Sequence, residues 1–212
     1  TLTFAAGQTQ ASVSVPVFGD TDIEPSEGFT LTVTAPEAVA AVSAGQAQIL
    51  ADDAGTPTLS VIGSFSPEGT DFYDPHYLVW TLNLSEASAE AVTVEYRFLN
   101  GTALYGVDTY TGSGTLTFAA GETTREIYLR IDGDSGVELD ESIVLELSDP
   151  NGAAFAGQAP VLRATSWILD DDGADEPRAL FVSNPVVLEG DTGSREAVFE
   201  LSLSRPAAAD FE

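Results

Sequence analysis

The seven residues Thr1–Gly7, Thr-Leu-Thr-Phe-Ala-Ala-Gly, return unchanged as Thr115–Gly121. The correspondence continues at the same offset of 114: Gly19-Asp20 with Gly133-Asp134, Glu24 with Glu138, Glu27 with Glu141, and Pro36 with Pro150. Past a small insertion it resumes, with Ile49-Leu50 against Ile168-Leu169 and Asp52-Asp53 against Asp171-Asp172. Leu59, Val61, Glu68 and Gly69 then recur as Leu180, Val182, Glu189 and Gly190. A fixed period means one structural unit used repeatedly. It divides the chain into the C-terminal half of one module (1–53), a complete module (58–172) and the N-terminal half of a further one (178–212). The connectors, Ala54-Gly55-Thr56-Pro57 and Gly173 to Pro177, are short and both end in proline. Proline stiffens the backbone and removes a ladder donor, so the arrangement predicts a rod of tandem modules.

Within the complete module, apolar residues alternate with the period of a half-buried strand. Leu78, Trp80, Leu82 and Leu84 share one face, as do Val92, Val94, Tyr96 and Phe98. Leu116 with Phe118, then Ile127, Leu129 and Ile131, then Ile143, Leu145 and Leu147 continue the pattern. A first strand near 59–62 and a last one over 161–169 bring the total to about seven strands, the spacing of an immunoglobulin-like sandwich. No long stretch has helical periodicity. The fold class predicted is all-β, in tandem Greek-key sandwiches. Val13, Val15 and Val17, then Phe29, Leu31 and Val33, repeat the core pattern in the first half-module.

The chain has 34 carboxylates against seven cations, all of them Arg, and a net charge of −27 over 212 residues. Most acids therefore lack an intrachain partner. Such a field repels nucleic acid and anionic membranes, whose binding depends on Lys and Arg. Hydrophobic residues make up 43 %, too many for a disordered acidic tail. Without cysteine there are no disulfides, thiolate metal sites or thiol nucleophiles. No run of ~18 apolar residues is present to span a membrane as a helix. The absence of Met is expected of a processed or excised piece.

Strand parity sorts the acids. With seven strands running alternately up and down, the first, third and fifth connections lie at one end, with the end of the last strand. That end collects twelve acids: Glu68, Asp71 and Asp74, then Asp108, then Asp132, Asp134, Glu138, Asp140 and Glu141, then Asp170, Asp171 and Asp172. The other end has four, Glu86, Glu90, Glu122 and Asp149. Crowded carboxylates raise one another's pKa values. A hard divalent cation relieves them, and calcium takes ~6–8 oxygens in flexible geometry, so several connections can share it. Magnesium prefers rigid octahedral sites, and zinc prefers His or Cys.

These motifs resemble the Calx-beta family, the module of sodium/calcium exchangers, an integrin and bacterial surface proteins. The resemblance rests on Glu68-Gly69 and Glu189-Gly190, Gly101-Thr102-Ala103 with Gly106-Val107-Asp108, and Gly114–Phe118 with Gly121-Glu122-Thr123. Asp134 with Glu138 and Glu141, and the terminal Ile168-Leu169-Asp170-Asp171-Asp172, complete it. It implies calcium at one end of a sandwich, on Glu68, Asp108, Asp134, Glu138, Glu141, Asp170, Asp171 and Asp172. In the half-modules Asp20, Glu24, Glu27, Asp52, Asp53 and Glu189 are the weaker counterparts. Gly133 stands where family members often carry an acid, and Ala51 precedes Asp52-Asp53, so fewer ions or weaker affinity are expected.

Nothing marks an enzyme. His76 has no recognisable nucleophile beside it, and no aromatic-lined cleft accompanies the acidic pairs. Trp80 and Trp167 fall in strand patterns and are read as core. The expected function is a calcium-binding structural or adhesive rod at the cell surface or outside the cell, its junctions stiffened by the ion. Its expected partners are calcium ions and neighbouring modules. An acidic spacer without calcium is the alternative. A further possibility is assembly with other copies of the chain, front halves completing back halves, with residues matching 94–114 missing from each composite.

Overall fold

A strand that alternates apolar and polar residues can bury one face only, and two such faces must meet. A computed structural model of the chain describes residues 2–22, 27–34, 44–50, 55–70, 73, 75–104, 106–110, 112–172 and 180–203. Its strands are β1 (Gln10–Phe18), β2 (Glu27–Thr32), β3 (Ala44–Leu50), β4 (Thr58–Ile62), β5 (Phe65–Pro67), β6 (His76–Leu84), β7 (Val92–Asn100), β8 (Ser113–Phe118), β9 (Thr124–Ile131) and β10 (Glu141–Asn151). They continue with β11 (Ala154–Phe155), β12 (Val161–Leu169), β13 (Leu180–Val182), β14 (Val186–Leu188) and β15 (Ser194–Leu203). A single 3-10 turn, Ala156–Gln158, is the one helical element among the described residues, and none there is long enough to cross a membrane as a helix.

The first sandwich packs β11-β4-β6-β9 against β5-β12-β10-β7-β8. Leu78, Trp80, Leu82 and Leu84 of β6 are fully buried against Val92, Val94, Ile143, Leu145 and Leu147. Trp80 spans the two layers: its Nε1 donates to Ala164 O on the opposite sheet at 3.1 Å. Its polar atom is thereby satisfied where water cannot reach it. On β10, Glu146 sits between Arg97 of β7 and Arg163 of β12 in register. Both guanidiniums bond its carboxylate at 2.7 Å and hold its pKa below the usual range, Arg163 more than Arg97.

The edge of this sandwich changes sheets. β4 pairs antiparallel with β6, and β5 pairs parallel with β12. The crossing is at Gly63, where a Cβ would lie 2.1 Å from Thr165 O. Only glycine permits that approach. Ser64 fixes it further: its amide donates to Ser166 Oγ and its hydroxyl accepts from Val79 N, each at 2.8 Å.

The two terminal segments share a second sandwich within the one chain. β1 pairs antiparallel with β15, and β15 with β13. β14 pairs parallel with β3, and β3 antiparallel with β2. Their joint core includes Phe4, Val17, Leu180, Val182, Phe199 and Leu201. The registers match the first sandwich: Phe199 lies opposite Val13 as Trp80 lies opposite Ile127. Among the described residues no strand follows β2 at its outer edge, where β10 carries β7 and β8.

The sandwiches meet through aromatic rings. Phe181 of β13 stacks on Phe65 of β5 with centroids 5.4 Å apart, and Trp167 of β12 lies 6.2 Å from it. Trp167 therefore differs from the core placement expected of it. Ser166 and Ile168 take the inward positions of β12, so Trp167 points outward, half-buried, onto the junction.

Phe199 is fully buried and meets Phe29 edge-on at 5.7 Å. Phe199→Ala is expected to cost the second sandwich about 3–5 kcal/mol. Hydrogen exchange reads this: protection should fall across β1, β3 and β15 and hold across β6 to β12. Unchanged protection of β1 would argue against a shared core.

Candidate metal centre

Strand ends bring the acids to one place. β5 delivers Glu68 and β12 delivers Asp170 on adjacent, parallel-paired strands, with Glu68 N donating to Leu169 O at 3.0 Å. Asp108 follows β7 in a turn tied to the end of β9: Thr109 bridges Ile131, its hydroxyl donates to Arg130 O at 2.7 Å, and Asp132 N donates to Asp108 O at 2.9 Å. The connection from β9 to β10 carries Asp134, Glu138 and Glu141. It lies directly on the Glu68-Gly69 pair, because Gly133 has no side chain. A Cβ there would stand 2.0 Å from Gly69 O and 2.4 Å from Glu68 O. The glycine found in place of an acid is thus the residue that lets this connection close on Glu68.

Glu68, Asp170 and Asp172 each place a carboxylate oxygen within 4.8 Å of the others. Glu68 and Asp170 are buried, at 5 % and 4 % exposure. Glu68 Oε1, both carboxylate oxygens of Asp170, and Asp172 Oδ2 are buried and accept no hydrogen bond among the described residues. Buried polar atoms are almost always satisfied, and buried charge without a counter-charge is costly. An all-oxygen donor set converging in this way fits a hard cation of the calcium type.

The remaining acids surround this centre. Burial pushes Glu68 up to about 8, helped by the charges of Glu138, Asp170, Asp134 and Asp172. Burial, a hydrogen bond with Asp108, and the charges of Asp108 and Glu138 push Glu141 up to about 7. Glu138 is raised by burial and by Asp134, Asp108 and Asp170. Asp172 is raised by burial and by Asp171, Asp170 and Asp134. The eight acids singled out in the complete module therefore share one field. Their other contacts differ. Asp171 is exposed and accepts from Gly69 N at 3.1 Å, Asp108 accepts from Leu104 N at 2.6 Å, and Asp134 accepts from Gly136 N.

Asp140 is a positioning residue that the motif comparison passes over: its Oδ1 accepts from Asp170 N at 3.1 Å. Its place between Glu138 and Glu141 is the one sequence signal for it. Asp132 pairs with Arg130 at 3.1 Å. In the second sandwich Glu189 is buried, whereas Asp20 and Glu27 are exposed and Asp20 accepts from Asp22 N at 2.7 Å. Glu24, Asp52, Asp53, Asp71 and Asp74 lie outside the described residues.

The raised acids make a signed prediction for metal-free protein. Glu68 and Glu141 bind protons more tightly folded than unfolded, from 4.5 to about 8 and about 7. Their contribution to stability is complete below pH 4.5 and is lost as pH rises through about 7 and then about 8. With chelator present, the urea midpoint should fall from pH 5 to pH 8. Glu68→Gln should flatten that fall, and an unchanged slope in the variant would refute the assignment to Glu68.

The Calx-beta domain model matches residues 1–55 and 79–172, well over half of the chain. Among solved structures, the chain is similar to the "apo-form Calx CBD1 domain", at 23 % identity over 54 % of this chain and 99 % of that one, with a TM-score of 0.42. It is similar also to "calcium binding domain CBD12 of CALX1.1", at 16 % identity over 71 % of this chain and 72 % of that one, with a TM-score of 0.44.

Proposed function

Because the chain belongs to the Calx-beta domain family, we propose that it is a calcium-binding module pair of a structural array at the cell surface or outside the cell, stiffened at its joint by the ion. The observation that carries this reading is the set of four buried carboxylate oxygens on Glu68, Asp170 and Asp172 without hydrogen-bond donors. Calcium takes about 6–8 oxygens, so this trio accounts for part of the shell. Asp108, Asp134, Glu138, Glu141 and Asp171 are the further oxygens within the same field.

The ion's mechanical effect follows from where its ligands are anchored. Glu68 directly follows β5, and Asp170 directly follows β12. Those two short paired segments also carry Phe65 and Trp167, which hold Phe181 of the second sandwich. Without the ion, the carboxylates push the ends of β5 and β12 apart or take up protons. With it, the pairing is clamped at its last residues, and the aromatic platform is fixed. Ion binding to the folded state alone adds to its stability.

Calorimetric calcium titration of chelator-stripped protein tests this, with Trp167 fluorescence read in parallel in a Trp80→Phe background. Saturable uptake and a saturable Trp167 response are expected, both lost in Asp170→Asn/Asp172→Asn. Free calcium at a hundred times Kd should add about 2.7 kcal/mol per site to stability. A flat titration would sink the proposal and leave an acidic spacer. Uptake without a Trp167 response would retain the site and remove the joint from the mechanism.

A further inference from the structure

The outer face of the β6–β9 pair carries side chains that its own sandwich does not use. Leu78, Trp80, Ile127 and Leu129 point into the core, so Tyr77 and Val79 of β6 and Glu126, Tyr128 and Arg130 of β9 point out. The register sets Tyr77 opposite Arg130 and Val79 opposite Tyr128. Opposite residues stand about 5 Å apart at Cβ, and aromatic rings still reach their diagonal neighbours. Tyr77 and Tyr128 are such a diagonal pair, with centroids 6.5 Å apart and planes crossing at 85°. Neither ring is covered: they are 47 % and 58 % exposed. β9 is the edge strand of its sheet, and Tyr110, also exposed, follows Thr109 where that residue bridges Ile131.

The second sandwich builds the same face without these rings. At the offset of 114, Tyr128 answers to Ser14 and Arg130 to Pro16. Tyr77, opposite Arg130, answers to Glu196, opposite Pro16. Ser14, Pro16 and Glu196 are all exposed. The fold therefore tolerates small and acidic residues here, and the aromatic face of the first sandwich is an addition to it. The polar groups beside the rings are already held in place. Tyr128 OH donates to Glu126 Oε2, and Arg130 is ion-paired with Asp132 at 3.1 Å. Aromatic surface with a few oriented polar groups is the composition of a binding site.

We infer that the outer face of β6 and β9 binds a neutral polysaccharide, with Tyr77 and Tyr128 as its stacking surfaces. Two rings at nearly a right angle make a floor and a wall for one sugar ring, whose C–H face packs on a tyrosine. Its hydroxyls are within the chemistry of the flanking groups: the Glu126 carboxylate accepts and the Arg130 guanidinium donates. Tyrosine offers this area at a low entropic cost, since only two side-chain torsions are fixed. Charge selects the class of partner. A net charge of −27 repels nucleic acid, acidic glycans and anionic membranes. Arg130, opposite Tyr77 and two residues from Tyr128, repels a Lys- or Arg-rich peptide from the ring faces. An uncharged, hydroxyl-rich chain meets neither barrier.

The test titrates the full chain calorimetrically with oligosaccharides of a β-glucan, a mannan and a xylan, and with a Lys-rich peptide. Chelator is present throughout, so the outcome is independent of the metal centre. Saturable binding of at least one oligosaccharide is expected, with the same affinity at low and high salt because the ligand is uncharged. Tyr77→Ala and Tyr128→Ser should each weaken it about tenfold or more. Tyr128→Ser copies the residue of the second sandwich and so keeps the fold, which hydrogen exchange at β6 and β9 amides verifies. Tyr128→Phe keeps the ring and should retain binding. Failure of all three oligosaccharides to bind overturns the proposal, as does binding that survives both Tyr77→Ala and Tyr128→Ser. Salt-sensitive binding of the Lys-rich peptide alone also overturns it and assigns the face to a basic protein partner.

Discussion

Carboxylates that crowd together away from water cannot all stay charged without a cation. That constraint governs this molecule. Glu68, Asp170 and Asp172 converge within 4.8 Å, and their buried oxygens receive no donor. The protein has two ways out: protonation or a metal ion. Burial and mutual repulsion raise the pKa values of Glu68 and Glu141, which favours protonation. The first sandwich has the oxygens for a metal ion.

The site is mechanically placed because the sandwich edge changes sheets. The switch at Gly63 creates β5, a three-residue strand whose parallel pairing with β12 is too short to be strong alone. Glu68 directly follows it, and its first residue, Phe65, forms the aromatic joint with Phe181. A charge event at one end and an interdomain contact at the other are thus separated by a single short ladder. Coupling between them needs no long pathway, only the stiffness of three paired residues.

Repetition gives the chain a second use of the same interface. The pairing of β1 with β15 repeats that of β9 with β6, and the pairing of β3 with β14 repeats that of β12 with β5. Two terminal segments about 180 residues apart in sequence recognise each other because each carries one side of an interface that the complete module holds internally. The match extends to the glycine contacts of Gly19 and Gly133, so the acidic frame is set by backbone packing before any ligand side chain is chosen.

The sequence alone determined the all-β class, the seven longer strands of the complete module though not the short β5 and β11, the inward faces of β6 and β10, and the crowding of acids at one end. These are local or periodic properties: a period of two fixes faces, and strand parity fixes ends. Tertiary structure decided the rest. Trp167 and Trp80 both sit in alternating strands, yet only the packing of Phe181 makes Trp167 a junction residue. Asp140 resembles its acidic neighbours in sequence, and only the approach of Asp170 N gives it a different task. Arg195 has no motif at all, and only the register of β15 on β1 sets its guanidinium over Gly190. Contacts between residues far apart in the chain depend on sub-ångström packing of whole sheets, and no periodicity in the sequence encodes that distance.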